Sequence, residues 1–176
     1  MDASVAIAWL VLRLVCGLIL AAHGAQKLFG WFDGPGLAGL EQGMRAQRFA
    51  PARLWAGLNI LGELGGGLSL AFGFLTPLGA AGIVGAMFMA MMKVHWKNGF
   101  FNSKRGIEFP LSLLAISTAI GLTGPREISL DHLFGIVLPY PWLFVILAVI
   151  AVAVDVVGIA ISRPAPSTDT MPRASA

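Results

Sequence analysis

The chain has 176 residues, of which 57% are apolar and only 12% charged, and its mean hydropathy is +0.80. A soluble domain carries about twice that charged share, so the composition predicts an integral membrane protein built as one bundle. The net charge of +3 has no basic face beside it, which sets nucleic acid aside as a partner, and the lone Cys16 excludes an internal disulfide or a CxxC dithiol.

The first apolar stretch, VAIAWLVLRLVCGLILAAHGAQKLFG at residues 5–30, exceeds the roughly 20 residues that cross a bilayer. No Lys or Arg precedes it and Arg13 interrupts it, so it reads as a first span over residues 5–25 and not as a signal peptide. At about 100° per residue, Arg13, Cys16, Gly17, Leu20, His23 and Lys27 share one helical face. A guanidinium turned toward lipid is expensive, so this face must look inward. Cys16 sits among apolar neighbours and reads as a small buried hydrophobe.

Residues 35–49 place Leu37, Leu40, Met44 and Arg48 at helical spacing, with Glu41 and Arg45 at i,i+4. This predicts a short amphipathic helix on the cytoplasmic interface. A second span covers residues 54–75. It carries Asn59 and Glu63 one turn apart, and the small-residue pairs Gly62/Gly66 and Gly65/Ser69 permit close helix approach. Glu63 needs a partner inside the membrane, and Arg13 is the natural one. Arg13 lies 14 residues from Lys27 and Glu63 lies 10 from Arg53, so with Lys27 and Arg53 taken as equally deep their depths differ by roughly 6 Å, which an Arg side chain reaches across. Such a pair reads either as a clamp that fixes helix register or as a clamp that is also the wall of a site.

Thr76-Pro77 forms a tight turn into a third span over residues 78–94, which ends in a Met-rich run followed by His95. A fourth span over residues 107–123 opens with Glu108 and has Pro110 in its first turn. His23, His95 and Glu108 should then meet at one depth. Their spacings form no metal motif and the ligands would come from three helices, so a hydrogen-bonded cluster for a polar head group is expected instead of a metal. The methionines suit an adaptable apolar wall, or simple packing. The fifth span, Trp142–Ile161, follows a Pro-Tyr-Pro-Trp anchor and carries Asp155 on a face of Ala148, Ala151 and Gly158. Asp155 either joins the central site or mediates an oligomer through this span. The Pro/Ser/Thr-rich residues 163–176 are expected to be a disordered tail behind a single domain over residues 1–162.

With five spans, Lys27, Arg45, Arg48 and Arg53 of the first loop share one side with Lys93, Lys97, Lys104 and Arg105 and with the tail, whereas Arg126 stands alone opposite. Positive residues stay cytoplasmic, which predicts the N-terminus outside and the C-terminus inside.

Arg13, HGAQKLFG at residues 23–30, GELGGGLSLAFGFLTPLGAA at 62–81, VHWKNGFF at 94–101, EFPL at 108–111 and SLD at 129–131 together resemble the DoxX family. The order and spacing match over roughly residues 10–135; GPREISLD at 124–131 is a looser fit, and the fifth span lies beyond the family core. The resemblance implies a small all-α bacterial inner-membrane protein, with a four-helix transmembrane bundle to which a fifth C-terminal helix and the interfacial helix are added here. It implies kinship to the small subunit of thiosulfate:quinone oxidoreductase. Position by position, it points to Arg13, His23, Lys27, Glu63, His95 and Glu108.

Two readings of different class follow. In the first, the chain is a membrane component of a quinone-linked oxidoreductase or oxidative-stress system. Glu63, His95 and Glu108 handle protons, while Arg13, His23, Lys27 and Asn59 hold a quinone-like head group. Electrons would come from a soluble partner at the cytoplasmic face, because the sequence holds no GxGxxG, CxxC or haem motif. In the second, the chain is a non-enzymatic scaffold or small-molecule binder that docks soluble partners. A transporter also fits intramembrane charges, though no inverted repeat is visible.

Overall fold

The computed structural model describes residues 2–162, and every regular element among them is helical. The expected disordered tail at residues 163–176 lies outside the described residues. Helix α1, Ala3–Phe29, starts at Asp2, whose side chain accepts from the Ser4 N–H at 3.1 Å. It stops at Gly30, where a positive φ of 75° turns the last N–H back onto the Gln26 carbonyl. Helix α2, Gly36–Ala46, is the predicted amphipathic helix. Its Met44 packs with Phe49, Trp55 and Met89 in a small apolar cluster. Helix α3, Ala52–Ile60, a π-helical turn Leu61–Gly65 and α4, Gly66–Phe72, run on as one rod over residues 52–72. Helix α5, Thr76–Ala90, has Pro77 in its first turn and continues through a second π-helical turn, Met91–His95. Helix α6 spans Glu108–Thr123, a four-residue α7 spans Leu130–Leu133, and α8 spans Trp142–Ile161.

Three helical stretches are long and apolar enough to cross a membrane, Ala3–Phe29, Thr76–Asn98 and Trp142–Ile161, and α6 is a shorter apolar helix. The chain is thus a helical membrane protein. Helix α1 packs on α4 and α6, α5 packs on α4 and α6, and α8 lies outside against α5 and α6. Between them sits a core of Leu20, Leu70, Ile83, Leu113, Ile120 and Phe144. The outward faces of α1 and α8 expose Val11, Val15, Leu18, Val149 and Val157, which is where acyl chains belong.

The register of α1 against α4 decides what can meet. A Cβ on Gly17 would lie 2.5 Å from the Gly67 carbonyl oxygen, and one on Gly67 would lie 2.6 Å from that of Gly17. The two backbones touch, so neither position has room for a side chain. This antiparallel contact brings Lys27 level with Asn59 and Glu63, and Arg13 level with Gly73.

The expected Arg13–Glu63 clamp is therefore absent. The depth estimate took Lys27 and Arg53 as equally deep, but Lys27 meets a point about two to three turns inside Arg53. Helix α3 overshoots the end of α1, and α2 folds into the space beside it. Arg13, only 1% exposed, donates instead to the Ile128 carbonyl. Beside it, Asp131 is buried and serves as a latch. Its carboxylate accepts from the Leu75 N–H at 2.7 Å, the Thr76 N–H at 3.2 Å and the Thr76 hydroxyl at 3.0 Å. These bonds hold Leu75 at a φ of 49°, a left-handed conformation that a leucine rarely adopts, and they satisfy orphan donors at the start of α5. The Ser-Leu-Asp piece thus fixes the turn between α4 and α5.

Candidate functional site

At the other end of α1, a cavity of about 360 Å³ opens between α1, α3, α5 and α6. Its polar wall holds His23, Lys27, Asn59, Glu63, Lys93 and His95, and its apolar wall is built by Met87, Met89, Phe109 and Leu113. The Lys27 ammonium donates to Glu63 Oε1 at 2.5 Å and to Asn59 Oδ1 at 2.8 Å. Glu63 is 3% exposed, and its second oxygen, Oε2, is buried with no hydrogen-bond partner among the described residues. Such an atom is costly to leave bare, and it offers an acceptor to a ligand's donor.

Both π-helical turns sit at this cavity. The first carries Glu63, and the second carries Lys93 and His95. A π turn spreads its residues wider than an α turn, and in helical proteins it recurs at functional positions. The His95 Nδ1–H donates to the Arg105 carbonyl at 2.6 Å, since a carbonyl oxygen can only accept. That bond leaves Nε2 as the ring atom free for exchange. The Asn98 amide donates to the same carbonyl at 3.1 Å, so the VHWKNGFF piece ties the end of α5 to the following loop. The His23 ring stands at the rim, tilted against Phe109 with centroids 5.8 Å apart.

Two expected site residues lie elsewhere. Glu108 does not line the cavity. Its Oε2 accepts from the Asn102 N–H at 2.8 Å, and its own N–H donates to the Phe100 carbonyl at 2.9 Å, so it closes the loop that seats Phe109 and Pro110. Arg13 belongs to the latch at the opposite end. Of the seven residues expected, His23, Lys27, Asn59, Glu63 and His95 come together. Lys93 is an addition that the sequence reading counted only as a loop charge. Its Nζ donates to the Ser162 hydroxyl at 3.0 Å and lies 5.0 Å from the centroid of the Phe49 ring. Its signal was its place two residues before His95.

A family model for DoxX matches residues 8–96, half of the chain. The chain belongs to the DoxX family. No curated protein and no solved structure matches it. The region of the DoxX match includes all five gathered residues as well as Arg13, while Glu108, Asp131 and Asp155 lie beyond it. Among the described residues no group of three or more His, Cys, Asp and Glu comes together in a way that could hold a metal. Cys16 is buried, 3.8 Å from the Ser117 hydroxyl, within the apolar core.

Proposed function

We propose that this cavity receives the polar head group of a quinone-like molecule from the bilayer, and that the protein is a membrane component of a quinone-linked oxidoreductase or oxidative-stress system. The observation that carries the reading is the buried Glu63–Lys27 pair, with Glu63 Oε2 left unpartnered, in the wall of a cavity whose far side is apolar. The cavity volume lies within the range of small-molecule sites, about 300–1,000 Å³. The residues fit such a head group: Lys27 supplies a donor for a carbonyl, and Glu63 Oε2 supplies an acceptor for a hydroxyl.

A bound quinone accepts two electrons and two protons to become a quinol. Lys27 would orient the head group by hydrogen bonding while Glu63 holds the ammonium in place. Glu63 Oε2 and His95 Nε2 would each hold or pass a proton, at the deep and the outer side of the cavity. Met87 and Met89, soft and unbranched, would adapt to the apolar chain and exclude water. Electrons would come from a soluble partner at the cytoplasmic face. The same reading completes the topology: α1, residues 52–72, α5 and α6 form the family's four-helix bundle, α8 is a fifth span, and α2 rests on the interface. The protein lies in a bacterial inner membrane with its N-terminus outside. The clustering of Arg45, Arg53, Lys97 and Arg105 near the cavity end supports this orientation.

Mass spectrometry of small molecules that copurify in mild detergent tests the reading. A quinone near one per chain, lost in Glu63→Gln and retained in Glu108→Gln, is the expected result. Wild-type protein free of quinone, and a Glu63→Gln variant that leaves quinol oxidation in vesicles unchanged, would return the protein to the scaffold class.

A further inference from the structure

A second cavity, of about 200 Å³, lies between α3, its π-helical turn, α5 and α8. It shares Met44, Asn59 and Met89 with the first, but its polar end is Asp155. Asp155 is 9% exposed and faces α5, not the outer surface of α8, and its Oδ2 is buried with no hydrogen-bond partner among the described residues. A carboxylate in an apolar wall is expensive unless a proton or a cation answers it. None of the residues that line this cavity is Lys, Arg or His. The one amide there, Asn59, has its oxygen committed to Lys27 in the neighbouring cavity.

The rest of the wall has two further properties. The Trp55 ring packs its outer edge against Gly158, one turn along α8 from Asp155, so an aromatic ring lines the same cavity as the carboxylate. The mouth is rimmed by Leu58, Leu61 and Val154, which are 41%, 67% and 44% exposed on the outer surface of the helices. Access is therefore from the acyl-chain region. An occupant needs an apolar body to arrive and a positive, hydrogen-donating end to answer Asp155. At the roughly 30 Å³ that one water occupies, the space holds about seven heavy atoms.

We propose that this cavity is a second ligand site, independent of the quinone reading, which takes lipid-soluble amines and binds their ammonium group on Asp155 beside Trp55. Asp155 is then a recognition residue and not an oligomer contact.

The test uses the full chain in lipid nanodiscs, with n-hexylamine as probe and n-hexanol and hexanoate as comparators, each corrected against empty discs. Saturable binding of hexylamine is expected, with hexanol and hexanoate weaker by about tenfold or more. In Asp155→Asn the amine should fall to the level of hexanol. Gly85→Ala keeps the carboxylate but sets a methyl 3.1 Å from the Ala151 methyl and 3.4 Å from Asp155 Oδ2, which narrows the space beside the carboxylate and should weaken the amine several-fold. Equal affinity of the wild-type protein for hexylamine and hexanol would mean a purely apolar cavity and would overturn the proposal. So would unchanged amine binding in Asp155→Asn or, if that variant does not fold, in Gly85→Ala. Copurified quinone is read from the same preparations, so loss of one site is distinguishable from loss of the other.

Discussion

Cutting the Lys27–Glu63 pair from its two ends should cost different amounts. The Glu63 side chain is 4% exposed and the Lys27 side chain 25%. Lys27→Met leaves a carboxylate in the low-polarity interior without its counter-charge. Removing one partner of a buried pair costs about 3–5 kcal/mol in soluble proteins, and membrane interiors give lower values, so about 3 kcal/mol is expected here. Glu63→Gln leaves an ammonium that keeps the Asn59 oxygen at 2.8 Å and retains its contact with solvent. The new carboxamide oxygen still accepts, so the cost should be about 1 kcal/mol. The double variant leaves no buried charge and should also lose only about 1–2 kcal/mol, a coupling of about 2–3 kcal/mol. Reversible unfolding by dodecyl sulfate in mixed bicelles measures all three. Equal single costs would refute the difference in burial, and a double variant whose loss is the plain sum would show that the two groups do not meet in lipid and would remove the centre of the proposed site.

Asp131→Ala removes three accepted hydrogen bonds and exposes the strain at Leu75, so it should destabilise by about 3–4 kcal/mol in the same assay, whereas Glu108→Gln should cost under about 1 kcal/mol and mainly speed hydrogen exchange at Asn102. Gly17→Val drives a side chain into the α4 backbone and should abolish the folded state, read as aggregation on size exclusion. Tyr140 is the one tyrosine of the chain, and its phenol is pushed up by burial, helped by the nearby Asp131 carboxylate. Phenolate absorbance should therefore appear well above the ordinary value of about 10 while the protein is folded. Above that value the unfolded chain has lost a proton that the folded chain keeps, so stability should fall as pH rises further; phenolate appearing at the ordinary pH would contradict the burial. A Ser103→Cys variant should react with a membrane-impermeant maleimide in inside-out but not right-side-out vesicles, because Cys16 is buried and gives no background.

Helix existence was legible because each span is an apolar run bounded by Gly, Pro or charge. The amphipathic α2 was legible because Leu37, Leu40 and Met44 repeat at helical spacing. What a linear reading could not supply was relative depth. Residue counting from span ends assumes that all helices begin in one plane, yet α3 starts beyond the end of α1. The contact that sets depth, Gly17 on Gly67, is made by residues with no side chain to advertise it. A single such contact reassigns both ends of the helix, giving Lys27 to Glu63 and leaving Arg13 to the Ser-Leu-Asp segment. The π turns were invisible for a related reason, since one extra residue per turn leaves composition unchanged and alters only which neighbours share a face.

The same argument explains why one chain carries two buried charge centres at opposite ends of α1. Arg13 and Lys27 share a face, so the α1 register against α4 cannot be changed by one turn without stripping both of their partners at once. Arg13 would lose the Ile128 carbonyl and its place beside Asp131, and Lys27 would lose Asn59 and Glu63. The close backbone contact opposes the same shift, because it would carry Leu20 or Ala21 into the approach to Gly67 that only Gly17 leaves room for. The polar groups add to this, since each one left bare in hydrocarbon costs several kcal/mol. The Arg13 latch thus contributes to the cavity without touching it: it holds α1 at the depth where Lys27 reaches Glu63. Arg13→Met should accordingly weaken quinone retention from the far end of the helix, while Asp155→Asn should leave it unchanged.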